Sequence, residues 1–171
     1  MNLLTQNAKM KKTSLENNAK IFNFSIPAYK TKSGKVTCPF ADTCIKYCYA
    51  QKGNYTRFPI VQQLMEQKYG DFYSIKYLIK WIDISTQNPD IIFYAYTKST
   101  KFFKGSLSIP KNLKIIFSEG SKTDNLINTN KDRHARIFKD VTTLLNKGYI
   151  NASDNDLKAI TDNKKVGLVY H

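Results

Sequence analysis

Two kinds of hydrophobic pattern alternate along this chain, and they predict strands and helices. In IFNFSIPAY, which begins at Ile21, large apolar residues alternate with small polar ones until Pro27, so the segment predicts a strand. IIFYAYTKS and LKIIFSEG are short apolar runs rich in β-branched and aromatic residues, which is typical of buried strands. The segment VGLVYH predicts a last strand.

Three other segments carry apolar residues at helical spacing. FPIVQQLMEQKYG places Ile60, Leu64 and Met65 on one face, with a proline near its start and a glycine at its end. DFYSIKYLIKWIDISTQNPD predicts a second helix with Asp71 as its N-cap. RHARIFKDVTTLLNKG predicts a third helix that ends at Gly148.

Strands that alternate with helical segments predict an α/β fold. We expect a small, mostly parallel sheet or a partial β/α barrel, flanked by about three helices, with a cysteine-bearing loop after the first strand. The polar, lysine-rich residues 1–20 are predicted to form a flexible basic arm or one marginal helix. Residues 21–171 then form a single α/β domain, an ordinary size for one domain.

The charge is unbalanced, with 27 lysines and arginines against 13 acidic residues and a formal net charge of +14. A field of this sign attracts polyanions, so nucleic acid is a candidate partner through a lysine-rich surface. The arginines are Arg57, Arg133 and Arg136 alone, although arginine makes the better forked contact to phosphate. An A/T-biased genome and solubility are therefore the competing explanation for the lysines.

Several classes of protein are disfavoured by what the sequence lacks. No apolar run approaches the roughly 20 residues that span a bilayer, so we expect a cytoplasmic protein with no membrane partner. No Walker loop, dinucleotide glycine fingerprint or serine elbow is present, which argues against phosphoryl-transfer and serine-hydrolase chemistry. The pattern indicates neither a substrate nor an oligomeric state.

All three cysteines lie in one short segment, at Cys38, Cys44 and Cys48. An odd number of thiols in a cytoplasmic protein is a poor basis for disulfides. Thiolates that converge from one loop are stabilised by a cation between them, so a metal site is the better interpretation. Cys44 and Cys48 would face the same way on one helical turn, while Pro39 begins the turn that brings Cys38 across.

The spacing leaves three alternatives open. Three cysteines can hold an iron–sulfur cluster with one iron open to a small molecule. A structural zinc ion usually takes four ligands, and His134 or His171 would then supply the fourth. Three unrelated buried thiols are the third alternative, because free cysteine is often buried.

Polar residues follow two of the predicted strands. Thr97 and Lys98 end one strand, and Ser118 and Glu119 end the next. If the strands are parallel, both groups lie at one edge of the sheet, where α/β folds place ligand contacts. Thr97 and Lys98 would hold a carboxylate or phosphate, and Glu119 would pair with Lys98 or bind a ribose hydroxyl; solvated strand ends are the alternative.

The two histidines receive different interpretations. His134 lies in the basic segment RHAR, which predicts a solvated residue at a helix start. His171 follows the last predicted strand and would point towards the edge that carries Lys98 and Glu119, although terminal residues are often frayed.

Four segments together resemble a family of bacteriophage proteins. They are TCPFADTCIKYCYAQKGNY, GDFYSIKYLIKW, NPDIIFYAYTKS and GLVYH, and the family is the gene product eighty-eight family. The resemblance covers most of the chain after Ile21 and implies a phage or prophage setting, in the cytoplasm of the host cell. Family members carry a further strand before the GDF segment, so it also implies a shortened connection before Gly70.

The cysteine segment resembles, more distantly, the cluster loop of radical S-adenosylmethionine enzymes. That resemblance implies that Cys38, Cys44 and Cys48 hold a 4Fe-4S cluster whose fourth iron binds the methionine end of S-adenosylmethionine. It also implies that Tyr49 stands where an aromatic residue lies beside this cofactor. The substrate is not implied.

Overall fold

The computed structural model describes residues 4–6, 8–22, 29–30, 34, 36–48 and 71–170. Within these residues the centre of the fold is a five-stranded parallel sheet with the order β1-β2-β3-β5-β4. In chain order the strands are β1 Phe93–Thr97, β2 Leu113–Ser118, β3 His134–Phe138, β4 Ile150–Asn151 and β5 Lys165–Val169. The predicted α/β fold with a small parallel sheet is confirmed.

Short helices accompany the sheet. The α-helices of the described residues are α1 Ala8–Glu16, α2 Ile75–Gln87 and α3 Val141–Asn146. The 3₁₀ turns are Thr43–Tyr47, Thr100–Phe103, Asp124–Leu126 and Asp156–Ile160. None of the helices that the structure describes has the length and apolar character needed to span a bilayer.

Hydrophobic residues form two core clusters against the strands. The larger cluster includes Ile116, Ala135 and Val166 from three adjacent strands. The smaller cluster joins Phe138 of β3 to Leu144 of α3. Helix α3 approaches the sheet closely at Gly167, where an added Cβ would lie 2.3 Å from the Leu144 side chain. Buried apolar side chains therefore anchor strands β2, β3 and β5.

The third predicted helix is wrong in its first half. Residues 134–138 form β3 instead, which pairs residue by residue with β5 from His134↔Lys165 to Phe138↔Val169. The apolar spacing fits a helix, but strand pairing buries both Ala135 and Phe138 and outweighs that local preference. The helix begins only after Asp140, whose carboxylate accepts a hydrogen bond from Thr143 N at 2.7 Å.

The predicted N-cap of α2 is also wrong. Ser74 occupies that position, and its Oγ accepts a hydrogen bond from Tyr77 N at 3.2 Å. Asp71 lies one turn earlier and bonds elsewhere. A serine is an equally good cap, so the local pattern did not distinguish the two residues.

The predicted basic arm contains α1, which contacts the residues that follow it. Met10 and Thr13 are buried, and Gln6 Nε2 donates to Ile21 O at 2.6 Å. Ile21 N donates in turn to Ser14 Oγ at 3.1 Å. The mobility of this arm and the single-domain boundary stay predictions.

Two sequence predictions fall on other parts of the chain. The first strand, predicted within residues 21–29, and the helix predicted from Pro59 to Gly70 lie wholly or mostly outside the described residues. The position of the cysteine segment after a first strand therefore stays a prediction.

Candidate functional site

The cysteine loop, residues 38–48, is bonded to the carboxyl end of β2. The backbone N–H groups of Asp42 and Cys44 donate to Gly120 O at 3.1 and 3.4 Å. A β-bridge between Ala41 and Ser121 runs beside these bonds. The middle of the loop that carries the three cysteines therefore lies at the edge of the sheet at which α/β folds bind ligands.

Gly120 makes this close approach possible. Its φ of +92° lies in the region that favours glycine, and an added Cβ would lie 3.0 Å from Cys44 Cβ and 3.2 Å from Thr43 Oγ1. A larger residue here would strain the backbone and displace the cysteine loop.

Cys38 lies at the start of a tight turn. Ala41 N donates to Cys38 O at 3.1 Å across Pro39, as the sequence predicts for a turn with proline at its second position. Tyr29 N donates to Cys38 Sγ at 3.4 Å. The turn fixes where the first thiol lies relative to the rest of the loop.

Burial is the main cause that raises the pKa of the Cys38 thiol. The Asp71 carboxylate and the Cys48 thiol raise this pKa further through their charge, while hydrogen bonds from the backbone of Tyr29 and Asp71 lower it. Cys38, Cys48 and Asp71 are thus near enough to interact electrostatically.

The three cysteines are free, and their thiols do not form a closed ligand set. Within the described residues, no three cysteine, histidine or acidic side chains are grouped to hold a metal ion. Cys44 lies in a 3₁₀ turn that Cys48 caps, rather than in the α-helical turn that the sequence predicts. Positions four apart are separated by about 120° in a 3₁₀ helix but only about 40° in an α-helix. The 3₁₀ winding and the extended backbone of Cys48 therefore do not provide the shared face that an α-helical turn would give these two thiols.

Lys98 holds the ends of β1 and β2 together. Its Nζ donates to Ser118 O at 3.0 Å, to Ser118 Oγ at 2.8 Å and to Glu119 O. An ammonium group has three donors, and each has an acceptor here. The prediction that these residues meet at one edge is confirmed, but Lys98 bonds to the backbone of Glu119 and not to its carboxylate.

Thr97 is hydrogen-bonded to Asp71, the residue that was predicted to be the N-cap of α2. Its Oγ1 donates to Asp71 Oδ1, and Lys98 N donates to Asp71 Oδ2 at 2.7 Å. Burial raises the pKa of Asp71, and these hydrogen bonds lower it. Asp71 therefore connects the segment before α2 to the end of β1.

The Glu119 carboxylate pairs with β3. Arg136 Nε donates to Glu119 Oε2 at 2.6 Å, and Glu119 Oε1 lies 3.7 Å from His134 Nε2. This ion pair is the main cause that raises the pKa of Arg136. The register of β2 and β3, which places Ser118 opposite Ala135, brings the three side chains together.

The prediction of a solvated His134 is wrong, because the residue is fully buried in β3. Its Nδ1 lies 3.1 Å from Asp132 O, and its Nε2 lies 2.9 Å from Tyr149 Oη. A carbonyl only accepts, so the hydrogen of the neutral ring belongs on Nδ1 and Tyr149 donates to Nε2. Neither ring nitrogen is open for a metal ion in this arrangement.

Two cavities flank the cysteine loop. One, of about 260 Å³, lies on the Cys44 side and is lined by Thr43, Cys44, Glu119, Gly120, Asp124, Arg136 and Ile137. The other, of about 500 Å³, lies on the Cys38 side; Pro39, Ile45 and Lys122 also line it. Space for a ligand therefore adjoins the loop on both sides.

Comparison with known proteins identifies the family of the chain. The family model described as Gene product 88 matches residues 1–69 and 67–171. The chain belongs to the Gene product 88 family. No curated protein and no solved structure matches it.

The Gene product 88 match confirms the family that the sequence motifs predict. The two matched segments meet at residues 67–69, beside the connection before Gly70 that the resemblance implies to be shortened. The more distant resemblance to radical S-adenosylmethionine enzymes is not tested by this match and stays a prediction.

For this member of the Gene product 88 family, two predicted residues lie outside the described part: Tyr49 and His171. The sequence interpretation also missed the site roles of Asp71, Arg136 and Tyr149. The sequence did contain a signal for Arg136, because His134 and Arg136 are two residues apart and therefore share one face of a strand.

Proposed function

We propose that this protein is an iron–sulfur protein in which Cys38, Cys44 and Cys48 hold a 4Fe-4S cluster. The observation that carries the proposal is that its three thiols are free and lie in one loop bonded to the carboxyl end of β2. In the host-cell cytoplasm that the family resemblance implies, such thiols stay reduced and able to bind metal.

Three cysteines leave one iron of such a cluster without a protein thiolate. His134 gives little support to a fourth ligand, because both of its ring nitrogens already have hydrogen-bond partners. This favours a cluster with an open iron over a tetrahedral zinc site completed by that histidine.

The proposal requires the cysteine loop to rearrange on binding. Rewinding the turn at Thr43–Tyr47 from 3₁₀ towards α-helical geometry would bring Cys44 and Cys48 to one side. We therefore expect slower amide exchange of the loop in the metal-bound protein than in the metal-free protein.

The sharper form of the proposal is radical S-adenosylmethionine chemistry. Cys38, Cys44 and Cys48 would hold the cluster, which would offer an open iron to the methionine end of S-adenosylmethionine and an electron for reductive cleavage of that cofactor. A place at the carboxyl edge of a parallel sheet supports this form, because that edge is where such folds bind cofactors. Tyr49 would contact the cofactor, and the substrate is not specified.

Metal analysis of the full chain, made and purified without oxygen, tests the proposal. We expect about four iron and four sulfide per chain, with visible absorption. C38S, C44S and C48S should each lose most of the iron, whereas K46Q, in the same loop but exposed and not a thiol, should keep it.

The other outcomes are also decisive. Stoichiometric zinc without iron would replace the cluster with a structural zinc site, and protein without any metal would overturn both. Circular dichroism of each cysteine variant separates lost ligands from lost folding. If iron is present but S-adenosylmethionine leaves the electron paramagnetic resonance spectrum of the reduced cluster unchanged, only the radical chemistry fails.

A second candidate is a non-enzymatic nucleic-acid-binding protein with a structural zinc ion or cluster. It is favoured by the net charge of +14 and by exposed lysines such as Lys101, Lys111 and Lys131. This function predicts DNA binding that weakens steeply as salt rises. Absence of binding to both duplex and single-stranded DNA at low salt would reject it.

A further inference from the structure

Of Lys98 and Arg136, two cations that bond to Glu119, only Arg136 has donors to spare. All three donors of Lys98 Nζ have acceptors on Ser118 and Glu119. Arg136 uses only Nε, towards Glu119 Oε2. In the part of the chain that the structure describes, Nη1 and Nη2 of Arg136 have no hydrogen-bond partner, and 40% of the side chain is exposed.

In the cavity that Arg136 lines, the carboxylate acceptors are bonded or buried, while two donor atoms of Arg136 stay open. Asp124 accepts from Gly120 N and Ser121 N, each at 2.8 Å, through its two oxygens. Glu119 Oε2 accepts from Arg136, and Glu119 Oε1 is buried without a hydrogen-bond partner among the described residues, so it is closed to a ligand. The open polar groups are therefore the Nη atoms of Arg136, which only donate, and the hydroxyl of Thr43, which can donate or accept.

A cavity whose open polar groups are mainly donors favours a ligand group that accepts hydrogen bonds. The two Nη atoms form a planar fork that matches the two oxygens of a carboxylate. A carboxylate monoanion is favoured over a phosphate dianion, because the negative charges of Glu119 and Asp124 on the same lining repel a dianion about twice as strongly. The volume of about 260 Å³ limits the ligand to a small molecule.

We propose that this cavity binds the carboxylate of a small molecule, held end-on by Nη1 and Nη2 of Arg136. Glu119 is a positioning residue, since its bond to Nε fixes the plane of the guanidinium group. The bound molecule would lie beside Cys44, which lines the same cavity. The inference does not depend on a metal, although it places a ligand next to the proposed cluster.

Ligand-observed NMR on the full-length protein tests this inference. The probe is acetate, with acetamide as its neutral counterpart of the same shape, and chloride keeps the ionic strength constant. We expect saturable saturation transfer to the acetate methyl group and much weaker transfer to acetamide. Equal transfer to both, or none to acetate, would overturn the inference.

Variants assign the binding to Arg136. R136Q should weaken acetate binding by at least about tenfold, because it removes a charged, forked contact. K139Q removes the same charge from a nearby exposed position and should change binding by less than about twofold. Equal effects of R136Q and K139Q would show that acetate responds to net charge only.

If R136Q does not fold, R136K tests the same inference. It keeps the charge and loses the fork, so acetate should bind more weakly than in the unaltered protein. If inorganic phosphate displaces acetate at concentrations below those at which acetate itself binds, the ligand is not of the carboxylate class. Iron analysis of the same preparations is independent: iron without acetate binding rejects this inference alone, and acetate binding without iron rejects the cluster alone.

Discussion

The end of β1 and the middle of β3 both carry a cation beside Glu119, yet the surroundings of these two cations differ. At the end of β1, Lys98 is enclosed by acceptors from Ser118 and Glu119. On β3, Arg136 gives one donor to Glu119 and presents the rest to a cavity beside the cysteine loop. A cation at the edge of a sheet is thus a structural residue when its donors are all occupied and a candidate ligand contact when they are not.

The difference follows from the side-chain types. An ammonium group on a flexible chain adapts to backbone carbonyls from any direction, so it joins adjacent strand ends well. A guanidinium group has five donors in a rigid plane, and one carboxylate rarely occupies them all. Lys98, which the sequence analysis predicted as a ligand contact, is therefore a structural residue. Arg136, which it did not predict as a site residue, is the candidate ligand contact.

The largest expected effect is that of K98M. It removes three hydrogen bonds from a charged donor and leaves their acceptors without partners, so we expect the free energy of unfolding to fall by about 2–3 kcal/mol. Urea unfolding measures this. K101M, at an exposed lysine of the next turn, should change it by less than about 0.5 kcal/mol. Equal losses of unfolding free energy in K98M and K101M would contradict the structural role of Lys98. Acetate binding should persist in both variants.

G120A tests how the cavity beside Arg136 depends on the cysteine loop. The positive φ and the 3.0 Å approach to Cys44 predict a loss of about 1–2 kcal/mol in the free energy of unfolding. The displaced loop should also bind less iron. G105A is the control, because nothing lies within 4 Å of its added Cβ and its φ is not positive. Wild-type stability and iron content in G120A would contradict the close contact.

The smallest expected effect is that of Y149F, which removes the hydroxyl that donates to His134. At pH 7 we expect a loss of about 1 kcal/mol, measured by urea unfolding. Burial, and next the charge of Glu119, raise the pKa of Tyr149 in the folded protein. The neutral phenol therefore stabilises the fold fully below the ordinary pKa of about 10 and progressively less as the pH rises through the folded value. The stability difference between the two proteins should shrink there; a constant difference would contradict the shift.

Much of the sheet was predictable, because its central strands are long apolar runs. The runs around β1, β2 and β5 leave few alternatives, and near-continuous apolar runs of this kind are typical of a parallel sheet. β3 was not predictable in the same way. Its apolar residues suit a helix and a strand equally, and only pairing with β5, about thirty residues later, decides between them.

The candidate site was predictable where it depends on strand ends and not where it depends on register. Thr97, Lys98, Ser118 and Glu119 do meet at one edge, as parallel strands require. Arg136 joins them only because β3 pairs with β2 beyond Phe117, which no local pattern specifies. The convergence of the three thiols on one centre stays a prediction.

The order of the strands has a consequence for synthesis of the protein. β5 lies between β3 and β4, although it is made after both, and among the described strands it is the only neighbour of β4. The sheet therefore stays divided on the ribosome until residues 165–169 have emerged. A nascent chain stopped before Lys165 would expose the unpaired side of β3 to other chains.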